Sequence, residues 1–353
     1  MSRWLLGRLA QTVAGIWLLA SAVFLLSHLG PGAEQLALPD TADPATASPG
    51  LRPAARQQAR YAYRQRLGLD LPLFYVSRPA LPRAAPARWQ WHGTHNQYHR
   101  WAGEVLRGRL GYSIRTGQPV SERIGQALAH TLPLTGAAIV LTTLGALLLA
   151  RWLAAGRPAY SRVIQLLLTA LQAPPLFVVA MALLLLFANP AWLDWFPVYE
   201  SPVAGGTNPG LTGSGLARAV LPVASLVLTA LPALTLQLEQ AISQELRLPY
   251  VLTARAKGLS TALVVNRHAL RNALLPLLTQ FTGLLPALFA GAVVVEVIFA
   301  IPGMGRLLVT AATTRDYPVL VGALAITGAS RLLALLLADV LYAQTDPRIR
   351  WQR

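Results

Sequence analysis

Residues 250–276 read YVLTARAKGLSTALVVNRHALRNALLP, a small-residue, cation-bearing loop between two long apolar runs, Ala219 to Leu238 before it and Pro276 to Ala300 after it. A charged linker between two membrane-length blocks belongs at a membrane surface. Tyr250 to Lys257 holds good helix formers, and Gly258 is placed as its C-cap. Ser260 can then N-cap a second helix, which the spacing extends through Leu274. Along that helix Leu259, Leu263, Leu270 and Leu274 form an apolar stripe, with Arg267 and Arg271 one turn apart on the polar face. Thr253, Ala254, Ala256 and Gly258 give the first helix little bulk. Such a helix can seat in a groove on a partner, with Arg255 and Lys257 supplying charge at the rim. An amphipathic helix lying on anionic lipid is the competing reading; it fits the arginines and explains the small residues less well. Lys257 is the single lysine among 30 basic residues.

Outward from this loop the composition sets the class. Hydrophobic residues make up 54% and charged residues 12% of the chain, with a mean hydropathy of +0.46, whereas soluble domains carry about 25% charged residues. Leu9 to Leu29 contains no Asp, Glu, Lys or Arg, and at about 1.5 Å per residue it spans roughly the 30 Å of a bilayer core. Comparable blocks run from Thr131 to Ala150, Val163 to Ala188, Ala219 to Leu238, Pro276 to Ala300 and Val319 to Ala343, so the expectation is an all-α integral membrane protein with six transmembrane helices. A secretory signal peptide is the competing reading of the first block, but the block exceeds the roughly 7–15 apolar residues of a signal core, so a retained helix is expected. With no cysteine, the chain has neither disulfides nor thiolate metal sites.

A net charge of +16 suggests nucleic acid, yet the arginines are placed otherwise. Arg3 and Arg8, then Arg151, Arg157 and Arg162, then Arg247 through Arg271, then Arg348, Arg350 and Arg353 fall on one side of six spans. That is the positive-inside pattern, with both termini cytoplasmic and lipid rather than nucleic acid as the surrounding partner. Gly30 to His130 is the exception, with 13 arginines against six acids on the outer side; loops longer than about 60 residues cross largely regardless of charge. Within it, Pro31 to Pro53 reads as irregular and Arg56 to Leu67 as a basic surface helix. Trp89, Trp91, Tyr98 and Trp101 cluster with His92, His95 and His99. His95 and His99 share a helix face, but no carboxylate or third spaced ligand accompanies them, and an aromatic belt or interfacial helix is the better reading than a metal site.

Pro174 and Pro175, Pro222 and Pro232, and Pro276 and Pro286 interrupt the apolar runs, and Gly283, Ala287, Ala290 and Gly291 let backbones approach closely. These suit a packed bundle with a pathway or moving interface more than a plain anchor. Three ionisable residues lie inside spans: Glu296, Arg331 and Asp339. Each is costly in hydrocarbon, so each is expected to meet a partner on another helix, statically or in a transport role. Arg331 and Asp339 are a little over two turns apart, too far to pair directly.

TARAKGL (253–259) followed by RHALRNALLP (267–276) resembles the coupling loop of the peptide-type ABC importer permeases, the dipeptide, oligopeptide and nickel group of binding-protein-dependent inner-membrane components. Leu252, Thr253 and Ala254 stand where that superfamily's loop has Glu-Ala-Ala, Gly258 is the loop glycine, and Leu270 and Arg271 replace its Leu-Pro, a departure typical of the peptide branch. Other blocks are similar to the family in the same order: WLLGRLAQTVAGIWLLASAVFLLSHLGPG (4–32), RLGLDLPLFY (66–75), LRGRLGYSIRTGQPVSERI (106–124), VVVEVIFAIPGMGRLLVTAATTRDYPVL (293–320) and DVLYAQTDPRIR (339–350). The outer segment from Pro31 to Tyr98 looks enlarged, and Arg331 stands where the family is usually neutral or apolar.

The resemblance implies a type I ABC importer transmembrane fold: an N-terminal transmembrane helix over 1–30, an extracytoplasmic segment over 31–130, a five-helix permease core over 131–343 with its coupling loop at 239–275, and a cytoplasmic tail over 344–353. It implies a non-catalytic permease subunit in a bacterial inner membrane, without a cofactor, paired with a second homologous permease, two cytoplasmic ATPase subunits and an extracytoplasmic solute-binding protein. Peptides are the expected solute, with nickel chelates, glutathione or another small solute as alternatives. No G-x-x-x-x-G-K-[ST] motif occurs in the chain, so ATP use is expected in a partner. A secondary transporter would need several buried carboxylates and an internal repeat, and a membrane-embedded enzyme a paired-carboxylate, HExxH or Ser-His grouping within the spans; neither pattern stands out. An acidic replacement at Ala254 or Gly258 is expected to abolish uptake and leave membrane insertion intact.

Overall fold

The computed structural model describes residues 2–29, 70–77, 89–155, 158–197, 213–270 and 290–345, together with 273 and 288. Pro31 to Pro53, the helix expected at Arg56 to Leu67, most of the apolar block from Pro276, Arg271 and the last eight residues lie outside them. In chain order the elements are α1 (Ser2–Leu29), β1 (Val76–Ser77), β2 (Gln90–Trp91), α2 (Gln97–Leu106), α3 (Val120–Ala155), α4 (Pro158–Leu171), α5 (Leu176–Phe187), α6 (Gly213–Glu245), α7 (Pro249–Ala256), α8 (Thr261–Val264), a π-helical turn (Val265–Ala269), α9 (Met304–Thr313) and α10 (Tyr317–Thr345). Residues 290–298 are also helical.

Among the described residues, four helices contain stretches long and apolar enough to cross a membrane: Leu6–Leu26, Val120–Ala155, Gly215–Glu245 and Tyr317–Leu336. The block from Val163 to Ala188 is not one straight span. It is α4 and α5, bent by 95°, because Pro174 and Pro175 end the helical hydrogen bonding between them. α3 begins well before the apolar block at Thr131, so its first turns carry Glu122 and Arg123.

The chain divides into two compact units. One comprises Met1–Gly15, Gln126–Leu307 and Thr327–Arg353, the other Ile16–Gly125 and Leu308–Ile326. In the first unit α6 is the central packing element. Its Leu221 and Leu226 meet Leu134 and Ala138 of α3, Ala180 of α5, and Val295 and Phe299 in one core. Its Leu234, Leu238 and Ile242 meet Ala146 and Ala150 of α3 and Val265, Ala269 and Ala273 in a second. The alanines matter because lipid tails are as apolar as leucine, so helices associate by close packing rather than by escape from water. Some hydroxyls within the helices bond back to the carbonyl one turn earlier, as Thr135 does to Thr131 and Ser225 to Leu221, which hides their polarity. The outward surfaces remain apolar, with Leu148 and Leu166 exposed.

In the second unit β1 and β2 form a two-stranded antiparallel hairpin with Val76 opposite Trp91. Its aromatic cluster joins residues 74–75 and 91 to α2 and the C-terminal half of α1.

Candidate functional site

The loop after α6 folds as a small helical unit. Pro249 opens α7, and its ring fixes φ near the helical value in a first turn where a missing N–H costs nothing. Gly258, at φ +83°, ends that helix in the left-handed conformation that side chains resist. Ser260 caps α8, its side chain accepting from the Leu263 N–H. Val251 and Ala254 of α7 and Val264 of α8 are buried together, with Leu246, Tyr250 and Leu259 packed around them. The Tyr250 hydroxyl donates to Glu245 Oε2 at 2.7 Å, tying α7 to the end of α6.

This packing sorts the candidate contact residues. Leu252 (67% exposed), Thr253, Ala256, Lys257 and Gly258 face outward, whereas Ala254 faces the small core. Ala254 therefore shapes the helix from inside, and the outward small surface is that of Ala256 and Gly258. Arg255 lies on α7 and Arg267 in the π-helical turn. Of the expected leucine stripe, Leu259 and Leu270 pack against buried residues, Leu263 is exposed and Leu274 lies outside the described residues, while Val264, Val265, Ala269 and Ala273 are buried. A π-helical turn follows α8, in which the Leu270 N–H reaches Val265 O, five residues back. Val264 faces the small core with Val251 and Ala254, whereas Val265 and Ala269 face the core shared by α3 and α6.

Glu296 is fully buried and lies in a donor cage. Its Oε1 accepts from the Thr131 hydroxyl of α3 at 2.6 Å, and its Oε2 from the N–H groups of Gly305 at 2.6 Å and Arg306 at 3.3 Å. Thr131 Oγ1 in turn accepts from the Met304 N–H at 2.8 Å. The carboxylate thus satisfies the open N–H groups at the start of α9 and links them to α3. A Cβ at Gly303 would overlap the carboxyl group, so only glycine lets this turn close over it. The Arg306 guanidinium donates to Ala300 O and fixes the intervening turn. The arrangement is a static clamp that holds a helix start and gives the carboxylate no solvent contact.

In the second unit Asp316 is buried between α9 and α10. Its Oδ2 accepts from Ser113 Oγ at 2.5 Å and from Arg123 Nη1 at 3.3 Å, and its Oδ1 from the Ile114 N–H at 3.2 Å. Arg123 Nη1 also donates to Ser113 Oγ at 3.1 Å. Asp316 was not among the candidates read from the sequence. The available signal was that Asp316 is the lone acid between residues 297 and 338, next to a membrane-length block. Asp316→Ala is expected to cost about 3 kcal/mol, because it strands a largely buried guanidinium with two further donors. Asp316→Asn keeps one acceptor and is expected to cost less; thermal unfolding in detergent measures both.

Arg331 is exposed on α10 and makes no ion pair among the described residues. Asp339 lies further along the same helix. In the histidine group of the second unit, His92 Nε2 meets Ser77 Oγ at 2.7 Å and His99 Nδ1 meets Tyr75 Oη at 3.0 Å.

The pattern of the family described as binding-protein-dependent transport system inner membrane component matches residues 142–351. The chain is 31% identical to a probable peptide ABC transporter permease protein of Sinorhizobium fredii, over 99% of this chain and 100% of that protein. It is 35% identical to an oligopeptide transport system permease protein of Bacillus subtilis, over 72% of this chain and 80% of that protein. A dipeptide transport system permease protein of Lactococcus lactis is 28% identical over 99% of this chain and all of its own length.

Proposed function

This chain belongs to the family of binding-protein-dependent transport system inner membrane components, with that family's type I ABC importer transmembrane fold, and we propose that it forms half of the translocation path for peptides. It is a multi-pass inner membrane protein and a permease component of such a system. In the proposed complex it pairs with a second, homologous permease. Two cytoplasmic ATPase subunits complete it, one of them docking on this chain's loop at 239–275, and an extracytoplasmic solute-binding protein delivers the peptide. Both termini are cytoplasmic, the apolar block from Pro276 to Ala300 completes six spans, and the segment over 31–130 is extracytoplasmic.

The observation that carries this reading is α7. It is a short helix beside a membrane span, packed from behind by Val251 and Ala254, with Leu252, Thr253, Ala256, Lys257 and Gly258 left outward. An exposed leucine among small residues and one cation suits a protein socket better than a lipid surface. ATP-driven closure of the ATPases would move α7 and, through the Tyr250–Glu245 hydrogen bond and the shared core, the end of α6. The exposed Arg331 on α10 supports the second permease, since a cation in hydrocarbon costs several kcal/mol unless protein or water covers it. The substrates named for the relatives, oligopeptides and dipeptides, favour a peptide solute.

The test is uptake of labelled peptide into proteoliposomes that hold the chain with its partner permease and ATPases. Transport is expected only with ATP and the solute-binding protein together. Uptake by this chain alone, driven by a proton gradient, would overturn the reading.

A further inference from the structure

α1 supplies a depth gauge for the extracytoplasmic segment. Its apolar stretch Leu6–Leu26 is membrane-length, and most of its surface is left uncovered by the rest of the chain and so open to lipid. Helix α2 is docked against the last part of that stretch. The Trp101 ring lies 6.1 Å from Trp17 and 4.6 Å from Phe24, the second pair stacked. Tyr98 hydrogen-bonds Ser21 at 2.7 Å and meets Phe24 edge-on at 5.8 Å. Trp17 and Phe24 are seven residues apart, about 10 Å along a helix. α2 is therefore held alongside the second half of the apolar stretch, from near its middle at Trp17 to within about 3 Å of its end at Phe24.

The hairpin is attached to the same level. Tyr75 meets Tyr98 at 6.0 Å, and Trp91 stacks on Tyr75 at 5.9 Å. Trp91 and Trp89 nevertheless remain 73% and 72% exposed, and Leu106 at the end of α2 is exposed as well. Arg100, Arg107 and Arg109 are exposed on and just after α2. Exposed tryptophans beside a lipid-covered span, with arginines nearby, match the composition of a membrane interface.

We infer that the hairpin and α2 form an interfacial anchor, with Trp89 and Trp91 seated at the boundary between lipid headgroups and acyl chains. The occupant of this surface is the bilayer, continuous with the lipid around α1. The inference rests on α1 crossing the membrane. It assigns Trp89 and Trp91 to lipid rather than to a protein partner, and Arg100 to anionic headgroups, whereas Arg107 and Arg109 pair with Glu104 at 3.5 Å and 3.8 Å.

The chain contains no cysteine, so Trp89→Cys, Trp91→Cys and Leu18→Cys each create a unique site for a spin label. Leu18 is an exposed position within the apolar stretch of α1. The full-length variants would be placed in vesicles of phosphatidylethanolamine and phosphatidylglycerol, and collisions measured with oxygen and with a water-soluble nickel chelate. Labels at 89 and 91 are expected to collide severalfold less with the chelate than a label free in buffer, and more than the label at 18, while staying open to oxygen. Two sites guard against loss of the Trp91–Tyr75 stack. If 18 is shielded from chelate while 89 and 91 are fully aqueous, the anchor is wrong and the span stands. Shielding of 89 and 91 from both reagents would mean protein covers them, and overturns the inference. Aqueous behaviour at 18 would overturn the anchor together with the span on which it rests.

Discussion

Glu296→Ala is expected to destabilise the folded chain by about 3 kcal/mol, because it leaves the Thr131 hydroxyl and the Gly305 and Arg306 N–H groups facing a small void. The readout is the unfolding temperature of the purified protein in detergent. Glu296→Gln should cost only about 1 kcal/mol. Its oxygen can still accept from both backbone N–H groups, and its amide can donate to the Thr131 oxygen. Gly303→Ala should resemble Glu296→Ala, since its methyl group takes the space of the carboxyl. The glutamine variant separates two roles. If Glu296 is a clamp, uptake survives in proportion to stability. A variant that keeps its unfolding temperature yet loses uptake would mean that the charge itself serves transport.

Leu252→Asp and Ala256→Glu are expected to reduce ATP-dependent uptake about tenfold or more while changing stability by less than about 0.5 kcal/mol, as exposed positions usually do. Both face outward from α7. The loss should appear as failure of the ATPase subunits to co-purify, with the amount of chain in the membrane unchanged. Ala254→Glu does not isolate this step. Ala254 is buried against Val251 and Val264, so a carboxylate there disrupts the small core before any partner is met. Gly258→Glu adds strain at φ +83° to whatever it does to docking. Normal co-purification in both outward variants would remove α7 as the docking element.

The four spans found among the described residues were legible in the sequence because the bilayer imposes one length and one polarity on them. The short helix at 249–256 was also legible, since Pro249, Gly258 and Ser260 mark helix ends by local geometry alone. Other features were not. The 95° bend between α4 and α5 was marked by Pro174 and Pro175, but proline announces a break without its angle. The partners of Glu296 lie far along the chain, with Thr131 on α3 and Gly305 beyond the turn, so its cost in hydrocarbon could be read and its cage could not. Asp316 was hidden for a related reason, because its worth depends on Ser113 and Arg123, 203 and 193 residues earlier. The inward turn of Ala254 was missed because small size suggested an outer surface.

The π-helical turn at Val265–Ala269 holds one residue more than an α-helical turn of the same reach. Each residue of an α-helix advances the azimuth by about 100°. Removing a single residue from this turn would therefore act as a frameshift in rotation, not in reading: the unit of α7 and α8 would meet the chain that follows at a different angle, with its composition untouched. Length is accordingly the quantity under tighter constraint here than residue identity. An alignment that treats a one-residue gap at 265–269 as trivial would be equating two helices whose faces are about a quarter-turn apart or more.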